Sequence, residues 1–167
     1  MRSLTWTDNG PEVSAAENIT IDETSLKISS WYESNRRQFQ ATHHSQCLFN
    51  RDPAIVPGLR FEFDDRGVLR GEFKCNGYQQ GYDQIVHGGV IAAIIDASMA
   101  QCLMGHGIVG YTADLAIRYR KPVKIRTTTR LETSIMSAKR NLYTMKCMLS
   151  QDETCVIEAD GKFFKVE

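Results

Sequence analysis

The stretch VHGGVIAAIIDASMAQCLM, residues 86–104, is the part of this chain that decides its fold. After the His-Gly-Gly triplet it runs through good helix formers, and no proline or glycine interrupts it from residue 90 onward. The pattern predicts a helix of about four turns, roughly 25 Å long. Apolar residues occur on every side of that helix, which is typical of a helix surrounded by protein.

One ionisable side chain, Asp96, lies inside this apolar run. A carboxylate in such a place is costly unless it is paired, hydrated or used. It either hydrogen-bonds a polar neighbour for structural reasons or serves as a base. The nearby glycine pair, Gly88 and Gly89, favours the second interpretation, because a helix start leaves free N–H groups beside the candidate base.

The composition is that of an ordinary soluble domain. The chain has 167 residues, of which 42% are hydrophobic and 24% charged. Lys+Arg and Asp+Glu balance at 20 each, so the net charge favours neither nucleic acid nor an anionic membrane as a partner. The apolar run is short and interrupted by polar residues, so no membrane-spanning segment is predicted.

The cysteines indicate the compartment. Their number is odd and none forms a CxxC pair, which fits free thiols better than a disulfide framework. No apolar stretch near residue 1 resembles a secretory signal. We therefore predict a cytoplasmic protein. The cysteines are Cys47, Cys75, Cys102, Cys147 and Cys155.

The remaining elements follow from hydrophobic periodicity and turn residues. A partly apolar helix is predicted near the N-terminus, then a hairpin, a Gly- and Gln-rich loop before the central helix, and a meander after it. Together they predict an α+β fold, an antiparallel sheet of five to six strands wrapped around one long central helix, with an extra N-terminal helix. The predicted segments are the helix 21–42, the loop 49–58, strands 59–63 and 68–75, the loop 76–85, and strands 113–119, 124–136, 142–149 and 155–166.

Three segments together resemble the hotdog-fold acyl-CoA thioesterases of the PaaI-like (phenylacetate-degradation) superfamily. They are HGGVIAAIIDAS (87–98), GYTADLAIRYRKPV (110–123) and CLFNRDPAIVPGLRFEF (47–63). The resemblance divides the chain into an N-terminal extension, residues 1–45, partly helical, and a hotdog thioesterase domain, residues 46–167.

The resemblance implies hydrolysis of an acyl-coenzyme A thioester without metal or organic cofactor. By this resemblance Asp96 activates water or attacks directly, and the backbone N–H of Gly88 polarises the thioester carbonyl. Thr112 helps to hold the water, while His87 and Gly89 shape the substrate site, with His87 orienting the turn rather than acting as the base. Many members carry Asn six residues before the His, where this chain has Gly81.

The spacing of the two catalytic candidates predicts the assembly. Gly88 and Asp96 are eight residues apart, roughly 12 Å along a helix axis. One carbonyl carbon cannot be near both groups of the same chain. The site should therefore combine Gly88 of one subunit with Asp96 of another, across a two-fold axis with antiparallel helices. We predict a homodimer with two equivalent sites, which in turn can form a dimer of dimers.

Four further polar segments have either a functional or a structural interpretation. The basic run that includes Arg120 and Lys121 either grips the phosphates of coenzyme A or is a solvated strand face. His106 suits a helix C-terminus, and Cys102 suits the core. The run His43-His44 with Cys47 has no second ligand pair at a suitable spacing, so no metal site is predicted.

Three functions remain after this reasoning. The leading one is an acyl-CoA thioesterase, acting on either an aromatic or an aliphatic acyl group. The second is a hotdog hydratase or dehydratase of acyl thioesters, which would need a histidine base. The third is a non-catalytic acyl-CoA-binding module, for which the absence of the family Asn at Gly81 is the argument.

Overall fold

The computed structural model describes residues 23–51 and 55–166, so the first 22 residues of the predicted extension 1–45 lie outside it. A six-stranded antiparallel sheet has the order β1-β2-β6-β7-β8-β5, and β3 and β4 pair separately. The predicted α+β architecture is confirmed. In chain order the elements are α1 (Glu23–His43), α2 (Leu48–Arg51), β1 (Arg60–Phe63), β2 (Leu69–Phe73), β3 (Gln80–Tyr82), β4 (Ile85–Val86), α3 (Gly88–Gly105), β5 (Val109–Tyr119), β6 (Thr129–Lys139), β7 (Leu142–Gln151) and β8 (Thr154–Val166).

The central helix α3 packs its apolar side chains against one face of the sheet. Strands β6, β7 and β8 alternate, so that every second side chain points at the helix and the others point to solvent. At about 25 cal/mol per Å² of apolar area removed from water, this contact is the main source of stability. The buried apolar side chains on the two sides of the contact include Ile91, Ile94, Ile95, Met99 and Leu103 from the helix and Leu131, Met145, Leu149, Ile157 and Phe163 from the sheet.

Helix α1 covers a second side of α3 through polar contacts. The Asn35 side chain donates to the carbonyl of Gly105 over 3.2 Å. The Arg36 guanidinium donates to the Gln101 side chain over 3.3 Å. The Glu33 carboxylate accepts the backbone N–H of Phe63 at the open edge of β1. Because α1 and the sheet together enclose much of α3, the prediction of a helix surrounded by protein is confirmed.

The end of α3 depends on a close approach that only glycine permits. A Cβ built on Gly105 would lie 2.1 Å from the ring carbon Cζ of Phe63, whose side chain is buried. Ala has the better helix propensity by up to about 1 kcal/mol, but overpacking of this kind costs about 1–3 kcal/mol. We expect Gly105→Ala to lower the midpoint of urea unfolding. Gly77→Ala, where nothing lies within 4 Å of the added Cβ, is the control, and equal stability of the two variants would contradict this account.

Two sequence-based boundaries were wrong. The strand predicted over 124–136 begins only at Thr129, because the chain before it is tied to the loop that leads into α3. The N–H of Val86 donates to the carbonyl of Val123, and the N–H of Ile125 donates to that of Gln84. The predicted loops also contain regular structure, with α2 in 49–58 and with β3, β4 and a 3-10 turn in 76–85.

By length and composition alone, α3 is apolar enough to cross a membrane, and no other helix of the described residues is. Most of it is buried inside the fold, and the core helices of soluble proteins pass the same test.

Candidate active site

The start of α3 leaves one backbone donor unused. His87 is the N-cap, and its ring Nδ1 accepts the N–H of Gly89 at 2.9 Å. Its carbonyl accepts the N–H groups of Val90 and Ile91 at 3.0 and 3.2 Å. The N–H of Gly88 meets no acceptor within the described chain. Because Gly88 is the first residue of α3, this N–H lies at the positive end of the helix dipole. It is free to donate a hydrogen bond to an oxygen of a ligand.

The second group of the site lies further along the same helix. Thr112, on β5, donates its hydroxyl to one carboxylate oxygen of Asp96 over 2.6 Å. The second oxygen has no hydrogen-bond partner among the described residues, so it can accept a proton or a water hydrogen bond. Asp96 is half-buried and lies on a face of α3 that is not fully covered by protein.

A β-bulge aims the Thr112 side chain. Strict alternation would put Thr112 on the same face as Asp114, which points away from α3 and pairs with Lys162. The register between β5 and β8 shifts between Thr112 and Asp114, so Thr112 faces the helix instead. The carboxylate and the hydroxyl meet for this reason.

One chain thus holds two separate halves of the predicted site. The Asp96 carboxylate contacts Thr112, and the free N–H of Gly88 stands beside His87 and Gly89. Eight helical residues, roughly 12 Å, separate the halves. One reacting carbon cannot be near both halves of the same chain, so a site that uses both on one carbon needs a second copy of the chain.

Sequence reasoning missed Tyr119. Its hydroxyl donates to the carbonyl of Gly88 over 2.8 Å, across 31 residues of chain. Burial raises the pKa of this phenol from its ordinary value, which already leaves the hydroxyl a neutral donor at neutral pH. Residue 119 follows the partly buried Leu115 and Ile117 at every second position of β5. The sequence did offer one signal: Tyr119 carries a hydroxyl and is the last residue of β5, the strand whose end lies beside the start of α3.

The basic run divides into paired and unpaired members. Arg118 and Arg120 form ion pairs with Asp160 and Glu158, at 2.7 and 3.2 Å. Those acids alternate with the buried Ile157 and Ala159, so both pairs lie on the sheet face away from α3.

The exposed Lys121 belongs to the loop that follows β5 and has no ion pair with any described residue. Lys124 and Arg126 lie in the same loop, which is bonded to residues 84–86 just before His87. The structure therefore places the loop that contains Lys121 near the start of α3, and it turns the Arg120 side chain away from α3.

The remaining candidates are structural. Burial raises the pKa of the Cys102 thiol to about 12, so this cysteine is core and not a nucleophile. His106 Nδ1 lies 2.9 Å from the carbonyl of Cys102 at the helix end. A Cβ on Gly81 would lie 3.0 Å from the Cα of His87, so His87 occupies the space that a side chain at this position needs. No group of three potential metal-ligating side chains occurs in residues 23–51 and 55–166.

Comparison with known proteins identifies the fold first. The E. coli PaaI protein from the phenylacetic acid degradation operon superposes with a TM-score of 0.70 at 14% identity, covering 84% of this chain and 96% of that one. A hypothetical thioesterase protein from Streptococcus pneumoniae, solved with coenzyme A, superposes with a TM-score of 0.61 at 19% identity, covering 66% and 90%. That protein was also solved as an Asp-to-Ala and as a Thr-to-Ala mutant, at positions sixteen residues apart. The fold is a hotdog fold.

Sequence comparison finds similarity to thioesterases over part of the chain. Residues 83–157 match the thioesterase superfamily. The mouse acyl-coenzyme A thioesterase THEM4 is 34% identical over 90 residues, covering 53% of this chain and 39% of the relative. The segment that carries the candidate site is therefore similar to the thioesterase superfamily, while the aligned part spans less than half the length of that curated relative.

Proposed function

We propose that this protein hydrolyses acyl-CoA thioesters, at two equivalent sites that each need two copies of the chain. The observation that carries the proposal is the unused N–H of Gly88 on the same helix as the Asp96–Thr112 pair. One group is a donor for a developing oxyanion and the other is a base with a free oxygen, which are the two parts that acyl transfer to water requires.

The reaction follows from these groups. Asp96 takes a proton from a water molecule held between its free oxygen and the substrate, and the water oxygen attacks the thioester carbonyl carbon. The charge that develops on the carbonyl oxygen is stabilised by the N–H of Gly88 of the partner subunit. The carbon–sulfur bond then breaks, and coenzyme A leaves as a thiolate that takes up the proton held by Asp96. The products are the thiol of coenzyme A and the free acid, and Asp96 is again ionised.

An exposed strand edge supports the dimer. In the described sheet β5 pairs only with β8, so its other edge of eleven residues is open. Long unpaired edges favour pairing with another strand. Antiparallel pairing with β5 of a second copy would bring the α3 helices together in opposite directions and set Gly88 of the partner subunit near Asp96. A dimer of dimers is compatible with this arrangement.

Two observations support hydrolysis of an acyl-CoA thioester: the spacing of Asp96 and Thr112, and the charge of the loop that contains Lys121. Asp96 and Thr112 are sixteen residues apart, the same spacing as the mutated Asp and Thr of the streptococcal thioesterase protein. Lys121 and its loop offer unpaired positive charge beside the site for the phosphates of coenzyme A, whereas Arg120 is held by Glu158.

Five free cysteines suit a reducing compartment, and we propose the cytoplasm.

The test is a panel of acyl-CoA thioesters from acetyl to dodecanoyl, with benzoyl and phenylacetyl, read out with a thiol reagent. We expect release of free coenzyme A, and a higher KM when coenzyme A is replaced by a short pantetheine thioester. Loss of the conjugated absorbance of crotonyl-CoA without thiol release would instead identify a hydratase. Tight binding of acyl-CoA with no release of thiol would identify a binding module.

Tyr119 gives a prediction about the oxyanion donor. Its hydroxyl bond to the Gly88 carbonyl fixes the backbone beside the free N–H, and a hydrogen bond of this kind contributes about 0.5–1.5 kcal/mol. We expect Tyr119→Phe to lower kcat by about 3- to 10-fold with little change in KM. Tyr78→Phe, at a side chain that is 96% exposed, is the control. A KM effect without a kcat effect would mean that Tyr119 contacts substrate and does not position the donor.

A further inference from the structure

A small cavity lies one helical turn beyond Asp96 on α3, beside the residues that precede Thr112 on β5. Its volume is about 140 Å³. The walls come from Ala100 and Met104 on α3, Gly110 and Tyr111 on β5, and the histidines His43 and His44 at the end of α1. The thioesterase resemblance gives no role to the histidines.

The cavity continues the site along the helix. Ala100 follows Asp96 by four residues, so it lies on the same helix face about 6 Å further along the axis. Gly110 and Tyr111 immediately precede Thr112 on β5. A group attached to a carbonyl at Asp96 therefore reaches this cavity within a few bonds.

Small residues create the space and the end of α1 closes it. Ala100 contributes only a methyl group to the cavity wall, and Gly110 contributes no side chain. Met104 is buried and its flexible thioether adapts to different apolar shapes. His43 and His44 form the far wall.

We propose that this cavity binds the distal part of the acyl group, and that His43 and His44 limit its length. The proposal rests on the function proposed above. A cavity of about 150 Å³ in another protein holds one benzene molecule, so a space of this size fits a compact acyl group, with about the bulk of a phenyl ring or a chain of similar size. A long fatty acyl chain would have to pass the end of α1.

The larger groove between α1 and β1 does not serve this purpose. Its volume is about 980 Å³, but its walls include the ion pair of Glu33 and Arg36, and it reaches α3 at Gln101. Gln101 lies five residues after Asp96, roughly 140° around the helix, so this groove opens on a different face from Asp96.

Filling and opening the cavity test the proposal with a series of acyl-CoA thioesters from acetyl to dodecanoyl. Wild-type protein should show kcat/KM that falls beyond about six carbons. Ala100→Leu should lower the ratio of kcat/KM for hexanoyl-CoA to that for acetyl-CoA by at least about 10-fold, because the new side chain occupies the cavity. Ala138→Leu, the same change at an exposed position of β6, should leave the ratio unchanged.

The double variant His43→Ala, His44→Ala provides the opposite test and does not depend on the folding of Ala100→Leu. It should raise the ratio of kcat/KM for dodecanoyl-CoA to that for butyryl-CoA. Unchanged chain-length profiles in the double variant, or a wild type that prefers long chains, would overturn the cavity assignment alone. A wild type that releases no thiol from any thioester would instead overturn the proposed function.

Discussion

Asp96→Asn is expected to lower kcat for acyl-CoA hydrolysis by about 10²- to 10⁴-fold, the usual contribution of a general base. The amide keeps the size of the carboxylate. Its oxygen can still accept the hydrogen bond from the Thr112 hydroxyl, which lies 2.6 Å from the Asp96 carboxylate oxygen in the wild-type protein. What it loses is the ability to take a proton from water. Stopped-time assays of thiol release measure the effect.

The fold and ligand binding of this variant should be nearly unchanged. The midpoint of thermal unfolding and the Kd for coenzyme A check this point, because a folding defect would alter both. Asp65→Asn, in an exposed turn, is the matched control and should retain wild-type turnover. Normal turnover by Asp96→Asn would refute the role of Asp96 and leave the fold assignment in place.

Gly88→Pro is expected to lower kcat by about 10²- to 10³-fold, the usual cost of removing one oxyanion donor. Gly88 is the first residue of α3, where proline is favoured because its missing N–H has no partner within the helix. The preceding His87 has φ −61° and ψ 130°, the extended conformation that proline requires of its neighbour. The substitution therefore removes the donor without breaking the helix.

Gly88→Ala separates loss of the donor from loss of space. It keeps the N–H, and its Cβ would lie 3.5 Å from the Tyr119 hydroxyl, an ordinary contact. We expect its kcat to stay within a few-fold of wild type. Equal losses in the Ala and Pro variants would show that a side chain at position 88 obstructs the substrate, and would contradict the role of the N–H.

The two inactive variants together test the sharing of the site. In a mixed dimer of Asp96→Asn and Gly88→Pro chains, one site has both changes and the other has neither. Unfolding and refolding an equimolar mixture should restore about a quarter of wild-type activity, since about half of the dimers are mixed and each has one intact site. No recovery from a mixture shown to contain mixed dimers would mean that each site is built within one chain.

The sequence alone determined the elements whose signal is local. The apolar run with Asp96 predicted α3, because helix formers without a breaker leave one conformation for the backbone. Hydrophobic periodicity and turn residues predicted the strands. The same local spacing, eight residues between Gly88 and Asp96, already required a second subunit for a shared site. These features depend on neighbours within a few residues, which is why they can be read without a structure.

Tertiary structure decided which polar groups meet. The bulge after Thr112 brings it to Asp96, where strict alternation would have pointed it away, and the sequence carries no marker for that extra residue. Tyr119 hydrogen-bonds the Gly88 carbonyl across 31 residues of sequence, and Arg120 forms an ion pair with Glu158 across 38 residues. Such pairings depend on strand register and on how α3 lies across the sheet, so they are set by the packing of the whole chain and not by any local pattern.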